Sequence, residues 1–296
     1  MSNNDFLREV LRAHEIQPKS TEMRALQEAR GDVEALLRDA FPGCTPTIRY
    51  GGSKAKNTMV LEDYDLDIVC YFPRDERGAG ETIREIYFKV RDALASKYTI
   101  VEKRTALRIK NRDVDLFIDV VPGRFIDASE TFAFLHQNGG GKDYLKTNLD
   151  EQVAYVPDSG CTSEIRLMKL WRPCVGLARV RTFPLELLVI KVLEEETAEG
   201  IEDRMVKVLL QIRDNINNIT IQDPANPNND LTDAFNPEIR QSLAHAARAT
   251  LLTVESTGWQ PVFRSIMGTG STQREQMRVL VTRNEPRTAP WSSGLI

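Results

Sequence analysis

The sequence has no apolar run that approaches the ~20 residues needed to cross a bilayer. Its first residues, Met-Ser-Asn-Asn-Asp, lack the charged and apolar regions of a secretory signal peptide. These two absences predict a cytoplasmic protein without a membrane anchor.

Cysteine is scarce as well. The four cysteines among the 296 residues, Cys44, Cys70, Cys161 and Cys174, show no Cys-x-x-Cys spacing. This pattern argues against a zinc ribbon and against a disulfide framework, and it indicates reduced thiols in a cytoplasm.

An excess of basic residues is the third feature that is missing. The chain has 39 Lys and Arg residues against 43 Asp and Glu residues, which gives a net charge of −4. Such a chain does not coat nucleic acid with its whole surface, so any site for a polyanion must be a local patch. The sequence carries no strong signature of a nucleic-acid-binding protein.

Two carboxylates stand two residues apart in the segment that dominates the sequence. A turn at Gly52-Ser53 is followed by an apolar stretch that contains Asp65 and Asp67. Residues i and i+2 of a strand share a face, so the two acids project side by side. Adjacent carboxylates repel each other unless a cation lies between them or one of them is protonated. Mg²⁺ prefers such oxygen ligands, and a turn offers backbone N–H groups and a hydroxyl that suit a triphosphate.

A third acidic position lies on a later strand. The stretch from residue 113 to 120 alternates between an apolar face and an acidic face. The acidic face carries Asp113, Asp115, Phe117 and Asp119. If this strand pairs beside the first one, Asp119 or Asp115 completes a two-metal site.

These motifs together resemble the polymerase-β-type nucleotidyltransferase superfamily. The order is Gly52-Ser53, then Asp65-x-Asp67, then Ile118-Asp119-Val-Val-Pro. Within that superfamily, Gly-Gly-Ser-Lys-Ala-Lys-Asn-Thr and Asp-Tyr-Asp-Leu-Asp-Ile-Val resemble the cGAS/DncV-like nucleotidyltransferases (CD-NTases) of bacterial CBASS anti-phage systems. Archaeal-type CCA-adding enzymes and oligoadenylate synthetases carry related patterns.

The resemblance implies a metal site. Asp65, Asp67 and Asp119 would bind two Mg²⁺ ions, for which Mn²⁺ can substitute, and Asp115 is the alternative third ligand. These acids would be both the catalytic and the metal-binding residues.

The resemblance also implies a site for the donor nucleotide. Gly52 and Ser53, with Lys56 and Asn57, would hold the triphosphate, and Lys169 would reach the phosphates from a later helix. The expected partners are ribonucleoside triphosphates, with ATP as one of them, and CBASS regulatory or effector proteins.

The helix that carries Lys169 has a second feature. Arg166, Lys169 and Arg172 recur every three residues, which predicts a basic ridge on the helix surface.

Periodicity and resemblance together predict an α+β fold with two lobes around a central cleft. Residues 1–150 would form a polymerase-β-like lobe, with a twisted mixed sheet backed by helices and a spine helix at about 20–41. Residues 151–283 would form a helical lobe that closes the nucleotide cleft, and 284–296 a flexible tail. Gly31 within the spine helix costs about 1 kcal/mol relative to alanine, which indicates close packing there.

The resemblance implies an activity: joining ribonucleoside triphosphates into a cyclic di- or trinucleotide second messenger in anti-phage defence, with release of pyrophosphate. The alternative is a template-independent RNA nucleotidyltransferase of the CCA-adding or oligoadenylate-synthetase type. An acidic, short chain argues against a tRNA groove. Transfer of a nucleotide to a protein or small molecule is a further alternative. A catalytically silent nucleotide sensor is disfavoured by the intact acidic triad.

Overall fold

The computed structural model describes residues 1–111, 116–139, 143–194 and 200–268. Asp115, the alternative third metal ligand, and the tail predicted at 284–296 lie outside the described residues. In the part that is described, no helix is both long and apolar enough to span a membrane.

Helices and strands alternate in the first half of the chain, and helices dominate the second half. The helices are α1 (Asn3–Ala13), α2 (Thr21–Ala40), α3 (Gly52–Ala55), α4 (Ile83–Ala95), α5 (Leu149–Asp158), α6 (Thr162–Cys174), α7 (Thr182–Leu193), α8 (Ile201–Asn215) and α9 (Pro237–Thr257), with a 3-10 turn at Thr232–Ala234. The strands are β1 (Thr47–Tyr50), β2 (Leu66–Phe72), β3 (Ile100–Glu102), β4 (Leu107–Asn111), β5 (Leu116–Phe125), β6 (Ala133–His136), β7 (Tyr144–Thr147), β8 (Gln222–Asp223) and β9 (Asn226–Asp230).

The main sheet is mixed, with its strands in the order β1-β2-β5-β4-β3. Strands β2 and β5 run parallel, whereas β1 pairs with β2 and β4 with β5 in antiparallel fashion. Strand β6 continues the sheet beside the far end of β5, and β7 pairs with β6. The predicted α+β class is confirmed, and the two acidic strands are direct neighbours.

One face of the sheet is covered by the spine helix α2 and by α4. Every residue of β2 is buried, and Leu66, Ile68 and Cys70 belong to the core that these two helices form with the sheet. The hydroxyl of Ser20 accepts a hydrogen bond from the Met23 N–H (3.1 Å) and caps α2, as serine does at helix N-termini. A helix is therefore present where the sequence predicts one at about 20–41, and its role as a spine across two lobes stays a prediction.

Close packing at Gly31 is not found. A Cβ atom at this position would meet nothing within 4 Å, and the residue is exposed on α2. The expectation was wrong because the position lies on the solvent side of the helix, where a glycine needs no steric reason.

A second core lies among the later helices. Trp171 of α6, Leu209 of α8 and Trp259 after α9 are buried in it. Helix α1 joins this core through Leu7 and Val10, so the start of the chain packs with the helices and not with the sheet.

Candidate functional site

Three carboxylates meet at one end of the parallel strand pair. Asp65 immediately precedes β2, Asp67 lies in β2, and the register places Asp67 directly opposite Asp119 of β5. One ligand oxygen from each residue lies within 4.8 Å of those of the other two. Asp67 and Asp119 are buried, whereas Asp65 is partly exposed. The sheet therefore brings together the three acids that the sequence singled out.

The glycine turn packs directly against the second of these acids. Gly51 donates its N–H to the carbonyl of Asp67 at 2.9 Å. Gly52 has φ +52°, and a Cβ atom there would lie 1.6 Å from Oδ2 of Asp67. Only glycine combines this backbone conformation with so close an approach to a carboxylate.

Two buried polar atoms beside the turn have no hydrogen-bond partner within the described part of the chain. They are Oγ of Ser53 and Oδ1 of Asp67. Buried polar atoms are nearly always paired in native proteins, and an unpaired group calls for an explanation such as a bound ion. Three hard oxygen donors at this spacing suit Mg²⁺ or Mn²⁺. The residues present therefore fit a divalent metal site.

Two cations that the sequence interpretation missed lie against the triad. Lys103, in the turn after β3, donates to Oδ2 of Asp119 at 2.6 Å. Arg108 of β4 donates from Nε and Nη2 to the two oxygens of Asp119, both at 2.8 Å. Nη2 of the same guanidinium also donates to Oδ2 of Asp65 at 3.0 Å.

Lys103 and Arg108 give the two buried carboxylates, Asp119 and Asp67, different pKa values. Burial alone would raise the pKa of Asp119, but Lys103 and Arg108 outweigh it and lower that pKa to about 2. Burial, reinforced by the negative charges of Asp65 and Asp119, raises the pKa of Asp67 well above its ordinary value. Of the two buried carboxylates, Asp67 is thus the one whose negative charge is less compensated.

Lys56, which we expected at the triphosphate, is buried beside the helical core. Its ammonium forms an ion pair with Glu186 of α7 and lies 4.7 Å from the centre of the Phe183 ring. Thr58 donates to the other oxygen of Glu186 at 3.0 Å. Lys56 still contributes to the field at Asp67, but its partner is a carboxylate of α7.

Lys169 is likewise buried, at 2 % exposure. It donates to the carbonyl of Thr58 at 3.0 Å and lies 3.6 Å from a carboxylate oxygen of Asp63. Arg172 pairs with the same oxygen of Asp63 at 2.9 Å. The structure therefore places Lys169 at the junction between α6 and the segment that leads into β2, and its role at the phosphates stays a prediction.

The basic ridge predicted on the surface of α6 is wrong. Lys169 and Arg172 are buried, and the side chain of Arg166 is 15 % exposed. Asp63, in the segment before β2, contacts Lys169 and Arg172, whereas Arg166 lies against α1, where it donates to the carbonyl of Leu11 at 3.3 Å. Burial would raise the pKa of Asp63, but Lys169 and Arg172 lower it overall, so the two cations share one ionised carboxylate.

Asn57 lies just beyond the turn of α3. It has φ +58°, is exposed, and lines a small cleft with Lys54 and Arg166. The predicted contact of Asn57 with a triphosphate stays a prediction.

Comparison with known proteins identifies the fold. No family model matches the sequence, and no curated protein matches it either. Solved structures do match. CdnG of Bradyrhizobium diazoefficiens, a CD-NTase determined with GTP, has a TM-score of 0.67 at 13% identity, with 95% of this chain and 98% of that chain covered. The chain has the CD-NTase fold.

Two further CD-NTase-fold structures extend the comparison. CdnC of E. coli MS115-1, determined in a complex with HORMA-deltaN, has a TM-score of 0.64 at 17% identity and covers 87% of this chain and 96% of that one. Vibrio cholerae DncV, a cyclic AMP-GMP synthase determined with a linear intermediate, has a TM-score of 0.59 at 15% identity and covers 92% and 86%. The polymerase-β-like fold expected from the sequence motifs is confirmed.

Proposed function

We propose that the protein is a Mg²⁺-dependent nucleotidyltransferase that joins ribonucleoside triphosphates into a cyclic di- or trinucleotide. The observation that carries this proposal is the cluster of Asp65, Asp67 and Asp119 within 4.8 Å, packed against the Gly52-Ser53 turn. Three convergent carboxylates beside a glycine turn suit metal-assisted phosphoryl transfer, because the triphosphate and the acids both bind the same cations.

The three acids would hold two Mg²⁺ ions. When bound, the ions would supply neutralisation of phosphate charge and a lower pKa for the attacking hydroxyl. Asp65 and Asp67 would face the donor triphosphate, and Asp119 would lie nearer the acceptor. The acceptor hydroxyl would lose its proton to solvent and attack the α-phosphorus of the donor. A phosphodiester bond would form as the bond from the α-phosphorus to the bridging oxygen breaks, and pyrophosphate would leave with that oxygen.

The turn would hold the donor triphosphate. The Ser53 hydroxyl, which has no partner among the described residues, would bind a phosphate oxygen, and Gly52 keeps the backbone close to Asp67. Lys56, Asn57 and Lys169 complete this proposal as phosphate ligands. For the two lysines, that role requires a change of partner. Lys56 would leave Glu186, and Lys169 would leave Thr58 and Asp63.

The product class is supported by the CD-NTase fold. DncV is a cyclic AMP-GMP synthase, and CdnG was determined with GTP. We therefore propose ATP or GTP as substrates and a second messenger of anti-phage defence as the product. Partner proteins of CBASS systems would then control the enzyme or respond to its product.

The test is a synthesis assay without RNA. The purified protein is incubated with Mg²⁺ or Mn²⁺ and all four ribonucleoside triphosphates, treated with phosphatase, and the products are identified by mass spectrometry. The Asp65→Ala/Asp67→Ala variant serves as the inactive control, and Asp75→Asn, at a side chain that is 92% exposed, serves as the matched active control.

A phosphatase-resistant cyclic oligonucleotide that is absent in the triad variant is the expected result. Linear extension of added tRNA, with no product in its absence, would instead support the RNA nucleotidyltransferase alternative. Full synthesis by the triad variant would refute the assignment of the acids. Protection of bacteria from phage by the wild-type gene, lost in the triad variant, would test the role in defence.

A further inference from the structure

Arg108 occupies a special position in the acid cluster. The register of β4 on β5 places it directly opposite Asp119, and its side chain is almost fully buried. Its Nη2 atom lies 2.8 Å from Oδ2 of Asp119 and 3.0 Å from Oδ2 of Asp65. One nitrogen thus joins two carboxylates that come from different parts of the chain.

The planar guanidinium explains why arginine suits this position. Its fork of N–H donors can bind one carboxylate through two parallel bonds and still reach a second carboxylate. Here Nε and Nη2 bind the two oxygens of Asp119, and Nη2 extends to Asp65. A lysine ammonium at the end of a flexible chain lacks this fixed geometry.

Lys103 differs from Arg108 in this respect. Its ammonium donates to Asp119 at 2.6 Å, and it comes from the turn between β3 and β4. Lys103 therefore neutralises one acid, whereas Arg108 holds two acids together. Asp67, which lies directly opposite Asp119 in the strand register, has one carboxylate oxygen without a partner in the described part of the chain.

We propose that Arg108 takes the place of a divalent cation between Asp65 and Asp119 in the metal-free protein, and that it competes with an incoming cation for their oxygens. This inference rests on the metal site of the proposed function. Asp67 would make the first contact with the incoming ion, because one of its oxygens has no partner within the part of the chain that is described. Bonds from Arg108 to Asp65 would then be exchanged for bonds to the ion.

Competition predicts that removing Arg108 tightens metal binding. Two like charges at a few ångströms repel, and removal of one unit charge beside a binding cation should strengthen binding by about tenfold or more. A residue with a purely structural role would give the opposite result, because loss of the bridge would let the carboxylates separate and weaken binding.

The experiment measures Mn²⁺ affinity of the full chain by electron paramagnetic resonance, without nucleotide. The variants are Arg108→Gln, Arg108→Lys and Lys110→Gln. Lys110 is the matched control, because it lies two residues along β4, is exposed, and stands over the same Phe117 ring as Arg108. We expect affinity about tenfold higher in Arg108→Gln, a smaller gain in Arg108→Lys, and a change below about twofold in Lys110→Gln.

A second measurement keeps the test decisive if Arg108→Gln does not fold. In the wild-type protein, the ¹⁵Nε signal of Arg108 is followed by NMR during a Mg²⁺ titration, with assignment from the Arg108→Lys spectrum. A shift that saturates with the metal supports the competition, and an unchanged signal at saturating Mg²⁺ overturns it.

The outcomes separate the two proposals. If the wild-type protein binds Mn²⁺ and a folded Arg108→Gln variant binds it equally well or more weakly, the role of Arg108 is overturned. The metal site then stands. Failure of the wild-type protein to bind Mn²⁺ or Mg²⁺ at all overturns the metal site and, with it, the role of Arg108.

Discussion

Asp67 lies directly opposite Asp119 on the neighbouring parallel strand, and the two carboxylates differ in electrostatic compensation. Asp119 is bound by Lys103 and Arg108, whereas one oxygen of Asp67 is buried without a partner in the described chain. We predict that Asp67→Asn slows nucleotide transfer by about a thousandfold. The reason is that several kcal/mol of transition-state stabilisation by the bound metal would be lost. Initial rates with Mn²⁺ and ATP plus GTP measure this loss.

The same substitution should not weaken the metal-free fold. Replacing a buried carboxylate next to Asp65 and Asp119 relieves repulsion, so the melting temperature should be unchanged or higher. Asp75→Asn, at an exposed acid, should change neither quantity. A melting temperature well below that of the wild type would show that Asp67 has a structural role that the repulsion argument misses.

Gly52→Ala tests the contact between the turn and the strand. The new Cβ atom would lie 1.6 Å from Oδ2 of Asp67, and the positive φ disfavours alanine as well. We expect a loss of about 1–3 kcal/mol in the free energy of unfolding and almost complete loss of transfer. Chemical denaturation and the rate assay measure the two effects, and retained activity would place the turn away from the reacting phosphates.

Gly31→Ala is the same substitution at a position where neither a positive φ nor a neighbouring atom opposes the new Cβ atom. The position lies within α2, is exposed, and has open space around a new Cβ atom. Alanine should stabilise the helix by about 1 kcal/mol, which corresponds to a rise of roughly 2 °C in the melting temperature. Differential scanning calorimetry at constant pH measures the shift. A decrease would reveal a contact made by α2 with the rest of the chain or with a partner.

Asp63→Asn should change the pH dependence of stability. At neutral pH, Arg172 and Lys169 would lose their buried counter-charge, which costs about 3–5 kcal/mol. The folded-state pKa of Asp63 lies below its ordinary value of 3.8. The stability that the ionised carboxylate contributes is therefore complete above pH 3.8 and is lost as the pH falls through the lowered pKa.

Urea denaturation at pH 7, 5, 4 and 3 measures this contribution. The difference between wild type and Asp63→Asn should be constant from pH 7 to 5 and should shrink below pH 4. A difference that stays constant down to pH 3 would mean that the variant is destabilised by packing and not by charge.

Lys56 and Glu186 form a buried ion pair between α7 and the chain segment after the turn. Lys56→Met or Glu186→Leu alone should reduce the free energy of unfolding by about 3–5 kcal/mol, since each leaves an uncompensated buried charge. The double variant should recover a large part of this loss, because two apolar side chains can replace a buried pair. Additive losses in the double-mutant cycle would contradict the pairing.

The acidic triad could be predicted from the sequence because strand periodicity is a local signal. Alternation places Asp65 and Asp67 on one face, and the same rule selects the acidic face that carries Asp119. That the two acidic strands pair was a condition of the prediction, and their parallel direction was not predicted, since it depends on the crossover through α4, β3 and β4.

The buried cations could not be predicted in the same way. The partners of Lys56 and Lys169 lie more than a hundred residues away, so their side chains looked solvated or free for phosphate. Arg108 did leave a signal. It stands between the apolar Leu107 and Ile109, which is the alternation typical of a strand, and pairing of such a strand with β5 places a basic side chain beside Asp119.

The parallel pairing of β2 and β5 also determines when, during synthesis on the ribosome, the three carboxylates can come together. Asp65 and Asp67 leave the ribosome first, and Asp119 follows only after α4, β3 and β4 have been made. Parallel strands cannot pair until the whole crossover exists, so a nascent chain cannot assemble the three acids early. A truncated product that ends before β5 would therefore carry the glycine turn and two acids, yet lack the third carboxylate of the cluster.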